Sequence, residues 1–196
     1  MIGSLRRAGI GGHEVVLVAD RIVLRPHDAS TIPALRRWYG DPEIARLSRH
    51  RNAPLEPAEV DRMVEHRIGT AETLAFAIWE RAHGEEVLVG TCSLANLDLA
   101  NASATYHLVI GEATARGRGL GRAATSRIAA FAFDDLRLAR LSLTVFAFNE
   151  TALRCYRAVG FVEEGRAREA VERDGRRWDE IAMGLLAREW RGSPSA

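Results

Sequence analysis

The sequence predicts one α/β domain of the α+β type, with a mixed, mostly antiparallel sheet and flanking helices. Three short β-rich runs follow one another between positions 74 and 110, and the short polar turns that join them are typical of an antiparallel meander. A crossover helix separates the last run from the next β-rich run, at 141–148, which favours a parallel pair. Two further β-rich runs flank Asp174-Gly175, a dipeptide that favours a hairpin turn.

The residues before the meander add a strand region and two helical segments. Residues 15–24 are β-rich, and a tight turn or bulge is predicted within them at 18–21. A helix is predicted over 31–39, and Gly40-Asp-Pro ends it. A broken helical region follows and includes 56–68, where apolar side chains recur at helical spacing.

Chain length and composition favour a single domain with its own core. At 196 residues the chain is long enough to fold without disulfide bonds or a structural metal. We place the domain at 15–191, between a flexible leader at 1–14 and a tail at 192–196. The net charge of +1 argues against nucleic acid or a membrane surface as a partner. The chain has no lysine, which excludes a Walker lysine and a Schiff-base lysine.

The cysteines and histidines predict no metal site. Cys92 and Cys155 are too few for a disulfide framework or a four-sulfur site, and the histidines show no metal-binding spacing. Two isolated cysteines suggest a reducing compartment. Because the sequence also shows neither a signal peptide nor an apolar run of transmembrane length, we expect a cytoplasmic protein.

The stretch from Ile110 to Ala124 is the strongest functional pattern in the chain. It lies between a predicted strand and a predicted helix, and a glycine-rich loop at a helix N-terminus suits a phosphate or pyrophosphate. It carries three glycines at alternate positions and three arginines beside them: Gly117, Gly119, Gly121, Arg116, Arg118 and Arg122.

Two other interpretations of this stretch compete with a pyrophosphate loop. A strand-to-helix turn also needs flexible residues, although it needs fewer glycines and arginines than these. Residues 119–124 fit the G-x-G-x-x-(G/A) pattern of dinucleotide-binding oxidoreductases. That pattern should open a βαβ unit whose next strand ends in an acidic residue, whereas antiparallel strands precede this loop and the next strand ends in Phe148-Asn149.

Two motifs give the chain a family resemblance. Arg116-Gly-Arg-Gly-Leu-Gly121 resembles the (Gln/Arg)-x-x-Gly-x-(Gly/Ala) signature of the GCN5-related N-acetyltransferases (GNAT), and residues 149–161 resemble that family's second signature. The segment 164–183 is similar to the branch that contains ribosomal-protein-alanine and spermidine N-acetyltransferases. The order of predicted elements fits this family from about residue 16 to residue 191.

The resemblance implies a GNAT fold with a splayed sheet of six to seven strands and acetyl-CoA in the splay. Backbone amides of the glycine loop would hold the pyrophosphate, and the N–H of Val109 would be the oxyanion donor. The cofactor-binding residues implied in this way are Val109, Ile110, Gly111, Arg116, Gly117, Arg118, Gly119, Leu120, Gly121, Arg122, Asn149 and Tyr156.

The implied reaction is attack of a neutral amine on a thioester, which needs an acid for the leaving thiolate and a base for the amine. Tyr156 is the candidate acid, because a phenol stays protonated at neutral pH. His107 is the candidate base, with Glu112, Glu80 or a water as alternatives. Relatives in the ribosomal-protein branch carry a carboxylate on the strand before Asn149, where this chain has Thr144 and Ala147.

The expected activity is therefore acetyl-CoA-dependent N-acetyl transfer by direct attack in a ternary complex. The acceptor is expected to be a primary amine of a small molecule or of a protein N-terminus. The resemblance is also compatible with a homodimer. A non-catalytic acyl-CoA sensor is the alternative, because the strand carboxylate is missing.

Overall fold

A computed structural model describes residues 15–69, 72–82 and 84–192. The predicted leader at 1–14 and most of the predicted tail lie outside these residues. The strands are β1 (Leu17–Ala19), β2 (Ile22–Pro26), β3 (Leu74–Ala82), β4 (Glu85–Asp98), β5 (Ser103–Ile110), β6 (Arg140–Phe146), β7 (Val162–Arg173) and β8 (Arg176–Leu186). The α-helices are α1 (Ile32–Tyr39), α2 (Pro42–Ser48), α3 (Pro57–Gly69), α4 (Leu120–Ala130) and α5 (Glu150–Val159).

The strands form one mixed sheet in the order β1-β2-β3-β4-β5-β6-β8-β7. All neighbouring pairs are antiparallel except β5 and β6, which are parallel. The predicted meander, the parallel pair and the final hairpin are therefore confirmed. The sheet has eight strands rather than six to seven, because the chain turns at Asp20 and Arg21 and divides the first strand region into β1 and β2.

Helix α2 is the element that the sequence analysis missed. Gly40-Asp-Pro ends α1 as predicted, but the same residues also start α2. Asp41 is its N-cap and accepts from the Glu43 amide at 2.8 Å, and Pro42 occupies the first turn, where a missing N–H costs nothing. An Asp-Pro pair is thus both a stop and a start signal.

The helices cover opposite faces of the sheet. Helices α4 and α5 pack on one face, where side chains such as Tyr106, Leu120 and Leu153 join the larger hydrophobic core. Helices α1 to α3 pack on the other face in a smaller core centred on Trp38 and Val60. Burying one such large apolar side chain stabilises the fold by about 1.5–3 kcal/mol.

The parallel pair is short, and this opens the middle of the sheet. β5 and β6 are paired only where residues 103–105 face residues 140–142. Beyond Thr105, β5 continues to Ile110 beside β4, and β6 continues to Phe146 beside β8. The two strands therefore diverge toward their carboxyl ends, which gives the splay that the resemblance implies.

None of the helices in the described ranges is both long and apolar enough to cross a lipid bilayer.

Candidate active site at the splayed strands

The glycine loop has the backbone shape that its sequence predicts. Gly117 and Gly119 have φ values of 74° and 83°, in the left-handed region that favours glycine. A Cβ on either residue would meet nothing within 4 Å, so the backbone conformation rather than lack of space requires glycine there. Gly119 is the N-cap of α4 and has no side chain to cap the first amides, which leaves them available to an anion.

Two other glycines near the loop serve close packing. A Cβ on Gly121 would lie 3.4 Å from Leu108 and 3.7 Å from the Cys155 sulfur, so the start of α4 sits tightly against β5 and α5. A Cβ on Gly111 would overlap the indole ring of Trp38, so the end of β5 sits tightly against α1. These contacts fix the loop between the two faces of the sheet.

Beyond residue 105, one edge of β5 faces the splay instead of the neighbouring strand β6. The Ala102 carbonyl accepts from the amides of Ala139 and Arg140, on the β6 side, whereas the Gly111 amide donates to Val89, on the β4 side. Backbone groups alternate in direction along a strand, so even-numbered residues of β5 point toward the splay. Beyond Thr105 these are the backbone groups of Tyr106, Leu108 and Ile110.

The side chains of the loop arginines hold the loop itself. The Arg116 guanidinium donates to the carbonyls of Ile110 at 3.0 Å and Gly111 at 3.3 Å, which ties the loop to the end of β5. Arg118 donates to Glu80 on β3 at 2.7 Å. Arg122 is exposed in the first turn of α4. The arginines therefore give the loop positive charge, and the ion pair and carbonyl contacts of Arg116 and Arg118 hold its conformation.

Asn149 caps helix α5 and also fastens it to α2. Its side-chain oxygen accepts from the Ala152 amide at 3.2 Å, as an N-cap residue does. Its side-chain nitrogen donates to the Leu47 carbonyl at 3.3 Å. Because both partners belong to the protein, the described contacts of Asn149 are structural.

Tyr156 lies on α5, inside the core that faces the splay. Its ring is 7% exposed and packs edge-on against Tyr106, with ring centroids 6.3 Å apart. Phe161 contacts the ring from the other side, at 5.8 Å. Burial raises the pKa of Tyr156 above the ordinary value, with a smaller contribution from Cys155. The phenol is therefore protonated at neutral pH.

His107 is exposed on β5, on the face opposite Tyr106. It pairs with Ser93 across the sheet, and Val109 on the same face packs against the smaller core. The face that carries His107 is therefore the one covered by α1 to α3, whereas Tyr156 lies on the other face. The two candidate proton-transfer groups thus flank the diverging strands.

The carboxylates proposed as alternative bases are engaged in other contacts. Glu112 accepts from the Trp38 indole at 3.0 Å and forms an ion pair with Arg37. Glu80 is 5% exposed and accepts from Arg118 and Arg21. Both carboxylates therefore hold neighbouring elements in place.

Helices α1 and α2 span the mouth of the splay. Trp38 at the end of α1 lies against Gly111, after β5, and Leu47 in α2 is bonded to Asn149, after β6. The corner between the two helices thus bridges the carboxyl ends of the diverging strands. No local pattern in the sequence indicates this bridge, because each contact joins residues far apart in the chain.

The final hairpin holds α2 from the other side. Arg173 is 2% exposed and donates to three carbonyls at the end of α2, including Arg46 at 3.1 Å and His50 at 3.3 Å. His50 also contacts Glu180 on β8, with 3.1 Å between the Nε2 and Oε2 atoms. These residues carry no local motif, so no sequence pattern indicates them.

Aromatic side chains line the mouth beside this anchor. Phe148 follows β6, stacks on Phe146 with ring centroids 5.6 Å apart, and lies 5.5 Å from the Trp178 ring on β8. Arg46 lies 5.0 Å above the Phe148 ring, and Arg176 lies 4.2 Å above the Trp178 ring. Aromatic rings and arginine side chains therefore lie together on this side of the mouth.

Comparison with known proteins agrees with this geometry. A family model described as the acetyltransferase (GNAT) domain matches residues 21–162, a range that includes the splay, the glycine loop and α5. The chain is similar to the putative ribosomal N-acetyltransferase YdaF of Bacillus subtilis (strain 168), with 34% identity over 105 residues, which cover 54% of this chain and 57% of that protein. The match thus spans just over half the length of this relative.

Two further relatives are similar over different lengths. The N-acetyltransferase 9-like protein of Caenorhabditis briggsae is 28% identical over 155 residues, covering 75% of this chain and 77% of that protein. The spermidine N(1)-acetyltransferase of Vibrio cholerae serotype O1 (strain ATCC 39315 / El Tor Inaba N16961) is 30% identical over 99 residues, covering 50% of this chain and 57% of that protein.

The solved structures agree with the fold. The crystal structure of spermidine N-acetyltransferase from Vibrio cholerae in complex with CoA and spermine matches with a TM-score of 0.77 and 21% identity, over 86% of this chain and 97% of that chain. At this identity the likeness concerns the fold, and it confirms the predicted splayed sheet. Because the family model covers most of the domain, the chain belongs to the acetyltransferase (GNAT) family.

Proposed function

We propose that the chain transfers the acetyl group of acetyl-CoA directly to a primary amine, carried by a small molecule or by a protein N-terminus. The observation that supports this most strongly is the splay, since β5 and β6 separate after residues 105 and 142 and the glycine loop opens at the same end. One domain over residues 15–191 would carry the whole reaction. The two free cysteines, one of them buried, fit a reducing compartment such as the cytoplasm.

The residues present fit acetyl-CoA on two counts. The left-handed glycines Gly117 and Gly119 leave open space above the loop, and the uncapped amides of α4 face it. The β5 edge also turns the backbone groups of Leu108 and the amide of Ile110 toward the splay, where they can pair with an amide-containing arm as a strand would. The Ile110 carbonyl already accepts from Arg116. The loop residues 116–122 would hold the pyrophosphate through their backbone.

The alternation along β5 refines the oxyanion donor. The Val109 backbone faces β4, where this residue pairs with Thr91, whereas the Leu108 and Ile110 backbones face the splay. We therefore place the donor at Leu108 or Ile110 instead of Val109. A preorganised donor of this kind contributes roughly 3 kcal/mol to transition-state stabilisation.

Tyr156 and His107 would move the protons. The buried Tyr156 phenol donates a proton to the departing thiolate, and its raised pKa ensures that it holds one. His107, on the strand that borders the splay, accepts a proton from the amine. Glu80 and Glu112 are less suited to this role because arginine partners engage both, and a water is the remaining alternative.

The acceptor would enter through the mouth formed by α1, α2 and the final hairpin. Its wall combines aromatic rings at Phe148 and Trp178 with a carboxylate at Glu180 and the arginines stacked on the rings. One relative is named for a ribosomal acceptor and another for spermidine, so both acceptor types belong in the test.

The test is thiol release from acetyl-CoA across a panel of amines. The panel contains spermidine, an amino sugar, an aminoglycoside and short peptides with free N-termini. We expect release above the hydrolysis background with at least one of them, and mass spectrometry should find one acetyl group on its amine. If acetyl-CoA stabilises the protein against heat but none of the amines causes thiol release, the result would instead support the sensor. If NAD alone stabilises the protein, the proposal is overturned.

A further inference from the structure

Glu80 is a buried carboxylate that the proposed reaction does not use. It lies near the end of β3 and is 5% exposed. Its Oε1 atom accepts from Arg118 at 2.7 Å and from Arg21 at 3.3 Å. A buried carboxylate is retained only when it is well paired, and both of its partners reach the glycine loop.

Arg118 lies at the centre of that loop. It stands between Gly117 and Gly119, both in the left-handed region. Two flanking glycines give a segment great conformational freedom when it is not held, and ordering one residue costs about 1–2 kcal/mol. An anchor on Arg118 therefore governs how well the loop amides are aligned before any ligand arrives.

The structure provides this anchor at two points. Glu80 holds the Arg118 side chain, and the Arg21 guanidinium donates to the Arg118 backbone carbonyl at 3.0 Å. Glu80 also binds Arg21, so one carboxylate joins both contacts in a three-residue clamp. The clamp connects the turn after β1, the end of β3 and the glycine loop, which are distant in the sequence.

We propose that Glu80 is a positioning residue that preorganises the glycine loop for the pyrophosphate of acetyl-CoA through Arg118 and Arg21. This rests on the proposed function, in which that loop holds the pyrophosphate. The clamp also leaves the loop with a net positive charge, because two guanidinium groups share one carboxylate. Its effect is confined to the cofactor side, since Glu80 faces the loop rather than the mouth.

Substitution Glu80→Gln tests the proposal, because glutamine keeps the shape but loses the charge. We expect the Kd of CoA and the KM of acetyl-CoA to rise roughly tenfold, the cost of one charge-assisted hydrogen bond. We expect kcat at saturating acetyl-CoA and the KM of the acceptor to stay within about twofold, since a positioning role leaves the chemistry unchanged. Isothermal titration with CoA and initial rates measure these values.

Glu86→Gln is the matched control. Glu86 lies on β4 and likewise pairs with two arginines, Arg25 and Arg81, but its side chain is more exposed and lies outside the clamp. Glu86→Gln should leave the Kd of CoA and the KM of acetyl-CoA unchanged. Arg118→Met, alone and together with Glu80→Gln, completes a double-mutant cycle in which the two changes should not add.

Other outcomes separate the clamp from the proposed function. If Glu80→Gln leaves the KM of acetyl-CoA unchanged while Gly119→Val raises it, the loop holds the cofactor without the clamp and the inference is wrong. If neither change affects binding, the loop itself is not the pyrophosphate site. If Glu80→Gln lowers kcat at an unchanged KM, the residue acts in the chemistry and the positioning role is overturned.

Discussion

The two sides of this site, which we assign in our proposal to the cofactor and to the acceptor, are built in different ways. The cofactor side consists of β5, the glycine loop and α4, one continuous segment between residues 103 and 130. The acceptor side joins α2 to the last hairpin and α5 through contacts between residues 102 to 130 positions apart. A continuous segment leaves a motif in the sequence, whereas a site assembled from distant segments leaves none.

This contrast has a consequence for function. In our proposal the cofactor side binds its ligand through backbone groups, while side chains such as Arg116 and Glu80 hold the loop in place. The side that we assign to the acceptor is held together by side-chain contacts, such as those of Arg173 and Glu180. Substitutions on the two sides should therefore affect different kinetic constants.

The largest effect is expected where the two sides meet, at Tyr156. Tyr156→Phe should lower kcat by about 100- to 10,000-fold, because it removes a general acid, and should leave the Kd of CoA unchanged. Single-turnover rates and CoA titration measure the two quantities. Tyr106→Phe is the control, since Tyr106 is a buried neighbour whose hydroxyl contacts Thr125. Equal turnover in Tyr156→Phe and wild type would remove Tyr156 as the acid.

On the cofactor side, Gly119→Val should weaken binding of acetyl-CoA about tenfold or more. A β-branched residue at a φ of 83° costs on the order of 1–3 kcal/mol and distorts the loop. Gly165→Val is the matched control, because its Cβ would also meet nothing and its φ lies outside the left-handed region. Intact CoA affinity in the Gly119 variant would contradict the role of the loop.

On the acceptor side, Arg173→Met should raise the KM of the acceptor severalfold and leave the KM of acetyl-CoA unchanged. The α2 carbonyls lose a buried charged donor, so the free energy of unfolding should also fall by roughly 2–4 kcal/mol. Urea denaturation and initial rates check both effects. Arg177→Met, at an exposed position of β8, should change neither. A rise in the KM of acetyl-CoA alone would contradict the division into two sides.

The smallest effect concerns alkaline pH. The pKa of Tyr156 is raised by burial, so the phenol keeps its proton from neutral pH to at least about pH 10, its ordinary pKa. The stability gained by burying the neutral phenol is likewise present below that value and lost as pH rises toward the folded-state pKa. Deprotonation of Tyr156 should therefore not lower kcat between neutral pH and about pH 10. If kcat falls near neutral pH and Tyr156→Phe abolishes that fall, the phenol loses its proton there and this prediction is wrong.

Several parts of the fold could be predicted because their signals are local. The turn at Asp174-Gly175, the Asn149 cap and the end of α5 at Gly160 all depend on residues within one or two turns. Helix α2 was missed because Gly40-Asp-Pro was interpreted only as a helix end, although Asp41 and Pro42 also form a helix start. The signal was present and had two meanings.

The sequence by itself determined the family, the glycine loop and the helix that carries Tyr156, because glycine conformation, helix capping and alternating strands are encoded by neighbouring residues. Only the tertiary structure decided the rest. It showed that Glu80 and Glu112 are held by arginines, that even-numbered residues of β5 face the splay, and that Arg173 fixes α2 at the mouth. These features depend on which distant groups meet when the core is buried, and no local pattern records such contacts.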